Sequence, residues 1–184
     1  MQFPALSGAR CVLRPLSEQD LPAFARYRAD PAVARFQSWS TYSLDDARRL
    51  FAGMASVPFG TRGSWYQVAI ADKRQNVLLG DCALHFLEDD QQVEIGFTLA
   101  PVHQGQGLAG EAVSLLVNYI FGQLHKHRII AVTDADNTAA RKLLAGTGFR
   151  QEAHFVQNTY FKGKWGDECL YAMLASEWRV ADSR

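Results

Sequence analysis

Residues 92–122 constrain this chain more than any other stretch. "QVEIGFTL" (92–99) alternates, with Val93, Ile95, Phe97 and Leu99 on one face and Glu94, Gly96 and Thr98 on the other. "APVHQGQG" follows, and then a helical pattern begins at about 107 and runs to 122. In it Ala109, Val113, Leu116 and Ile120 recur at i+3/i+4 spacing, while Glu111, Ser114 and Asn118 form a polar side. "RIIAVTD" (128–134) is a second, buried strand. Strand, helix and strand in this order predict a parallel crossover unit.

The flanking sequence is not a repeat of that unit. "RCVLRPL" (10–16) predicts a strand and "SEQDLPAFARYRAD" (17–30) a helix, with Ser17 as N-cap and Asp20 at the capping-box position. "SLDDARRLFAGMAS" (43–56) predicts a second helix, capped by Ser43, with Asp45 and Asp46 at the positive end of its dipole. The aromatic-rich "PAVARFQSWSTY" between them lacks a period and reads as a loop or broken helix. "SWYQVAIAD" (64–72) and "VLLGDCALHF" (77–86) flank the polar turn "KRQN", an antiparallel hairpin signal. "NTAARKLLAGTGF" (137–149) predicts a helix from Asn137 to the glycines near its end, and the tail predicts two strands joined at Gly163. The sum is an α/β (α+β) chain with a mixed, mostly antiparallel sheet of about six to seven strands flanked by helices.

At 184 residues, with no internal repeat and no low-complexity linker, residues 1–184 read as one domain. Lys+Arg and Asp+Glu are equal at 19 each, so overall charge offers no pull toward nucleic acid or an anionic membrane. Cys11, Cys82 and Cys169 are far apart and form no metal-binding spacing; they read as buried thiols in a reducing compartment. No run approaches the ~20 apolar residues of a membrane span, and the N-terminus lacks a signal-peptide pattern. A cytoplasmic protein without a metal is the expectation.

"GQGLAG" (105–110) is a literal G-x-G-x-x-G, with Asp134 downstream, as in dinucleotide-binding turns. Physically, a strand feeding a glycine-rich turn and a helix is a phosphate site. The first N–H groups of the helix have no intrahelical partner, the dipole adds positive charge, and glycines permit close approach. Three features argue against a dinucleotide. "APVHQ" separates the strand from the first glycine, an antiparallel meander precedes it, and Glu94 sits in mid-strand where a covered parallel strand should be apolar.

"Gln104-Gly105-Gln106-Gly107-Leu108-Ala109" resembles the Q/R-x-x-G-x-G/A motif of the GNAT N-acetyltransferases. "NTAARKLLAGTGF" resembles the family's following helix. "RCVLRPLSEQD", "VEIGFTLAPVHQGQGLAGEAV" and "GDECLYAMLASEW" resemble its RimJ/RimL-type branch, so the similarity spans nearly the whole chain. The resemblance implies a GNAT fold and acetyl-CoA as cosubstrate. It implies that the diphosphate sits on Gln104, Gly105, Gln106, Gly107, Leu108, Ala109 and Gly110. The pantetheine would pair with the backbone near Phe97, Thr98 and Leu99. Asn137 matches a position contacting the CoA arm, and Arg141, one turn on, is a candidate phosphate partner.

The same resemblance implies transfer of the acetyl group to a primary amine, either a protein N-terminal α-amine or a small molecule. Glu94 matches the base glutamate of several branches, and His103 is a second candidate. An α-amine (pKa ~8) needs less help from a base than a lysine amine (~10.4). The expected proton donors are absent, since Leu144 stands where many members carry Tyr and Ala140 where the branch often carries Ser. Tyr160 and Tyr171 are the alternatives for that role. Phe36, Trp39, Tyr42 and Tyr160, with Trp165, are candidates for the acceptor wall. A homodimer is common in the branch and is not demanded by the sequence. A non-catalytic acyl-CoA-binding module and an NAD/FAD-binding oxidoreductase are the rival readings.

Overall fold

The computed structural model describes residues 2–178. Its sheet has eight strands in the spatial order β1-β2-β3-β4-β5-β6-β8-β7: β1 (Leu6–Ser7), β2 (Cys11–Pro15), β3 (Trp65–Asp72), β4 (Leu78–Phe86), β5 (Gln92–Leu99), β6 (Arg128–Asp134), β7 (Arg150–Phe161) and β8 (Lys164–Leu174). Every neighbouring pair is antiparallel except β5–β6. The expected mixed, mostly antiparallel sheet is present with one strand more than anticipated. β1 is two residues long, too short for a period-2 pattern to register.

Five helices flank the sheet: α1 (Leu21–Arg28), α2 (Pro31–Ala34), α3 (Leu44–Ala55), α4 (Leu108–Gly122) and α5 (Thr138–Gly146). The caps are those the sequence specifies. Ser43 accepts from the Asp46 N–H at 3.1 Å while the Asp46 carboxylate accepts from the Ser43 N–H at 2.7 Å. At the start of α1 the Ser17/Asp20 box closes a short 3₁₀ turn (18–20), and the α-helix proper begins at Leu21, later than expected. The aperiodic stretch after it contains one turn of helix, α2, which has Pro31 in its first turn and Asp30 accepting from the Ala32 N–H.

Period-2 alternation splits the sheet between two cores. Leu13, Val68, Ile70, Cys82, Leu84, Val93, Ile95 and Ile129 pack against Val113, Leu116 and Ile120 of α4. On the other face Ala69 joins Leu16, Leu21, Phe24, Ala25, Tyr27 and Ala47 under α1 and α3. That second core covers only one end of its face, and the rest stays open as a groove. The three cysteines are buried and free, and burial together with the Glu111 charge pushes the Cys11 thiol up to about 12. No helix among the described residues is long and apolar enough to cross a membrane.

Candidate active site

The turn before α4 is held open by its backbone conformation. Gly105 and Gly107 adopt φ of 72° and 77°, and Gly107 is the N-cap of α4. Among the described residues, the N–H groups of Gly105 through Gly110 donate to no backbone carbonyl. Six donors are therefore left without a backbone partner at the positive end of a 15-residue helix. The side chains of Gln104 and Gln106 turn back instead, donating to the Leu99 and Val102 carbonyls at 2.9 and 3.0 Å.

A brace from Arg10, just before β2, holds this turn in place. Arg10 donates to the Gln106 carbonyl at 2.7 Å and to Glu111 Oε2 at 3.1 Å. Glu111 Oε1 accepts from the N–H groups of Arg10 and Cys11 at 2.7 and 3.1 Å. Partial burial pushes the Glu111 carboxyl up, but these donors outweigh it and hold it below the ordinary glutamate range. The brace joins residues about a hundred positions apart, and no local pattern announces it.

Beside the turn the sheet opens. β5 pairs with β6 only through Gln92, Glu94 and the residue between them, opposite Arg128–Ile130, whereas its pairing with β4 continues to Leu99. Past Glu94 the two parallel strands part, so one edge of Ile95–Leu99 faces a gap. On β4, Gly80 lies opposite Leu99, and a Cβ there would come within 2.2 Å of the Thr98 carbonyl oxygen. The close approach of β4 to this part of β5 requires glycine.

Two cavities meet across that gap. One, of about 480 Å³, lies over the turn and is lined by Leu99, Gln104, Gly105, Gly107 and Gly110. The other, of about 510 Å³, covers the open sheet face and includes Trp65, Gln67, Glu94 and Trp39. Phe36, Gln37, Phe97, Thr98, Asn137 and Ala140 line both, so the two form one groove.

Register explains which side chains reach the second cavity. Trp65, His85 and Glu94 are successive cross-strand partners and form one row. Gln67, Ala83 and Gly96 form the next, and Ala69, Asp81 and Thr98 the third. At the far end the buried Asp81 accepts from Arg28 Nη2 at 2.7 Å and from the Tyr27 hydroxyl. The Arg28 guanidinium also lies 4.1 Å from the Phe24 ring centre and 4.6 Å from that of Trp39. Burial and the Asp81 charge push the Tyr27 phenol well above its usual range. The loop carrying Trp39 is strapped to the β7–β8 hairpin, because Lys162 donates to the carbonyls of Ala34 and Trp39.

Of the residues expected from sequence, Glu94, Phe36 and Trp39 line the sheet-face cavity. Phe97, Thr98, Leu99, Gln104, Gly105, Gly107, Leu108, Ala109, Gly110 and Asn137 line the cavity over the turn. The others lie elsewhere. The Gln106 side chain folds onto Val102. Arg141 is engaged by the Ala135 carbonyl at 3.0 Å and the Tyr171 hydroxyl at 3.3 Å, which keeps it from the turn. Tyr42 sits behind Trp39, their ring centres 5.1 Å apart, rather than in the groove wall. Tyr160 is on the edge strand β7, 63% exposed, against Trp165. His103 lies in the 3₁₀ turn 101–103 and lines neither cavity. Tyr171 is buried with its hydroxyl bonded to Arg141 and Gln151, away from the groove. Sequence reasoning missed Arg10, Arg28, Asp81, Trp65, His85 and Lys162, each of which has a partner on another element.

Asn137 caps α5 by accepting from the Ala140 N–H at 3.1 Å. Asp134, the residue a dinucleotide turn would need at the ribose, lines the sheet-face cavity and not the turn. Among the described residues no group of three or more His, Cys, Asp or Glu side chains is placed to hold a metal ion.

Comparison with known proteins agrees with this architecture. A family model described as an acetyltransferase (GNAT) domain matches residues 10–150. The uncharacterized N-acetyltransferase YoaA of Bacillus subtilis is 30% identical over 174 residues, 94% of this chain and 97% of that protein. Among solved structures, the ribosomal-protein α-N-acetyltransferase RimL in complex with coenzyme A superposes with a TM-score of 0.82 at 20% identity, covering 93% of this chain and 98% of that one. Spermidine N-acetyltransferase from Vibrio cholerae, in complex with CoA and spermine, gives a TM-score of 0.79 at 22% identity over 91% and 96% of the two chains. The oxidoreductase reading of the glycines falls with this match and with the antiparallel sheet. The chain belongs to the GNAT family and is an acyl-CoA-dependent N-acetyltransferase.

Proposed function

We propose that this enzyme takes the acetyl group from acetyl-CoA and passes it directly to a primary amine lying on the open sheet face, with Glu94 receiving the ammonium proton. The observation that carries the reading is the continuity of the two cavities at Phe97 and Thr98. Their meeting point is where a thioester held on one side would face an amine held on the other.

The residues present fit the cosubstrate. The N–H groups of 105–110 suit a diphosphate, and a Cβ-free surface at Gly105 and Gly110, with nothing within 4 Å, lets it approach. The free edge of β5 past Glu94 suits the amide-bearing pantetheine arm, leaving a backbone N–H for the oxyanion of the tetrahedral intermediate. Asn137 borders both cavities at the bend.

On the acceptor side, Glu94, Asp134 and Glu168 line the cavity, and the one cation there among the described residues, Arg28, is paired with Asp81. The balance favours an ammonium-bearing acceptor. Glu94 takes the proton, directly or through one water, and the free amine attacks. Ala140 and Leu144 supply no acid. Departure does not require one, because a thiol with pKa ~8.5 leaves tolerably as thiolate. RimL and the Vibrio enzyme name two acceptor classes, a protein α-amine and a polyamine.

The test is acetyl-CoA turnover against a panel: a peptide with a free N-terminus, its N-blocked lysine-containing counterpart, and spermidine. Thiol release matched, mole for mole, by acetylation of one acceptor is the expected result. Tight CoA binding with no acceptor modified above background would overturn the reading.

A further inference from the structure

We propose that His85 is a positioning residue for Glu94 and the exit for its proton, so that the base works as a Glu94–His85 pair clamped by Trp65. The proposal rests on the reading of Glu94 as base and adds a second group to it.

Three strands place these side chains in one row. Trp65 opposes His85 across β3–β4, and His85 opposes Glu94 across β4–β5. His85 Nδ1 lies 3.3 Å from Glu94 Oε2. On its other side the imidazole is stacked flat on the Trp65 indole, with ring centres 4.5 Å apart and planes 9° off parallel. The ring is therefore fixed in the plane that aims a nitrogen at the carboxylate. Both side chains are about one quarter exposed (23% and 24%), so neither is a free surface group. The described residues give Nε2 no hydrogen-bond partner, and Trp65 is half exposed, so the row ends at solvent.

The arrangement answers a problem that Glu94 alone leaves open. With acetyl-CoA along β5 and an amine above it, the protonated carboxyl is covered from the groove side and must still lose its proton. The acceptor ammonium gives one proton to the Glu94 carboxylate. Glu94 passes one from Oε2 to Nδ1 of a neutral His85 carrying its proton on Nε2. The imidazolium then loses the Nε2 proton to water, and exchange with water returns the ring to its starting tautomer. One proton moves from amine to solvent and the carboxylate is regenerated. Of the other charged groups on this sheet face, Asp81, four residues back along β4, pairs with Arg28, and Arg128 on β6 pairs with Glu152; farther along, Asp134 accepts from the Asp136 N–H and Glu168 from Asn158 Nδ2.

Three variants test it, with acetyl-CoA and whichever of spermidine or a free-N-terminus peptide turns over: His85→Ala, His85→Gln and Glu94→Gln. His85→Ala is expected to lower kcat by roughly tenfold, a fraction of the ~10²–10⁴ that a positioned base supplies, with acceptor KM and CoA affinity within twofold. His85→Gln keeps a hydrogen-bonding amide beside Glu94 and cannot carry a proton, so it should be as slow as His85→Ala. Added imidazole should restore His85→Ala through the slot vacated beside Trp65, and should leave His85→Gln and Glu94→Gln slow. Wild-type kcat in His85→Gln, or a defect confined to acceptor KM, would overturn the proposal while leaving Glu94 as base. A normal rate in Glu94→Gln would instead remove the base itself, and with it the partner His85 is proposed to serve. Melting temperature and CoA binding of each variant identify any loss that is merely misfolding.

Discussion

The two ends of the groove are built in different materials. Around 104–110 the proposed working groups are backbone N–H donors, presented by two left-handed glycines and the start of α4. On the sheet face they are side chains, Glu94, His85, Trp65 and the Arg28–Asp81 pair, each placed by cross-strand register or by a contact between remote residues. In the proposed reading the backbone site recognises what every substrate pair shares, the diphosphate and its arm. A side-chain site is where acceptors are told apart. The two ends should therefore fail differently when altered.

The largest expected effect is at the far end of the sheet face. Arg28 and Asp81 are almost fully buried, and Arg28 Nε already lacks a partner. Asp81→Ala would leave a guanidinium uncompensated in the interior, so unfolding in urea should show a loss of roughly 3–5 kcal/mol. A loss below about 1 kcal/mol would mean that the pair is not what holds α1 to β4. Gly80→Ala comes next. The 2.2 Å approach to the Thr98 oxygen forces β4 and β5 apart, for an expected cost of about 1–3 kcal/mol together with weaker CoA binding. If stability falls and CoA affinity does not, the free edge of β5 is not the pantetheine's seat.

Lys162→Ala releases the strap on the Trp39 loop, and charge-assisted hydrogen bonds of this kind contribute ~1.5 kcal/mol or more. Acceptor KM should rise several-fold while CoA affinity stays put; the reverse pattern would break the division between the two ends. The smallest effect is on pH. Asp20 and Glu111 are held below their ordinary ranges despite burial, the first by Arg14 and Ser17 and the second by the N–H groups of Arg10 and Cys11 and the Arg10 side chain. A depressed carboxyl contributes stability that is full above its unfolded value, ~3.9 for Asp and ~4.3 for Glu, and is lost as pH falls through its folded value. Melting temperature should hold from neutrality to about pH 5 and decline below it. In Glu111→Gln that decline should be shallower.

The same division explains what could be read from the chain. The turn was legible because glycine spacing, the strand before it and the helix after it are all local signals. The place of Glu94 on the open sheet face was legible because "QVEIGFTL" alternates. The caps at Ser17 and Ser43 were legible for the same local reason. By contrast, Asp81 and His85 sit in an apolar-looking strand, "VLLGDCALHF", and acquire meaning only through Arg28, Trp65 and Glu94 on other elements. Aromatic content misplaced part of the acceptor wall. Tyr160 belongs to the exposed edge strand and Tyr42 to the second rank behind Trp39, while Trp65 and Phe161 line the groove. Arg141 read as a phosphate partner because helix position gives a side chain's face and not its neighbours, and its neighbours are Ala135 and Tyr171.

One pair of variants measured side by side tests the central claim. Glu94→Gln should lower kcat by about 10²-fold with CoA affinity within twofold. Gly107→Glu places a side chain where φ is 77° and Arg10 Nη2 stands 3.3 Å away, and sets a carboxylate against the diphosphate. It should weaken CoA binding at least tenfold, about 1.4 kcal/mol, with kcat at saturating acetyl-CoA much less affected. CoA dissociation constants by calorimetry and acetylation rates with one acceptor give both numbers for both proteins. Opposite defects are the predicted result. Unchanged turnover in Glu94→Gln, or unchanged CoA affinity in Gly107→Glu, would contradict the account.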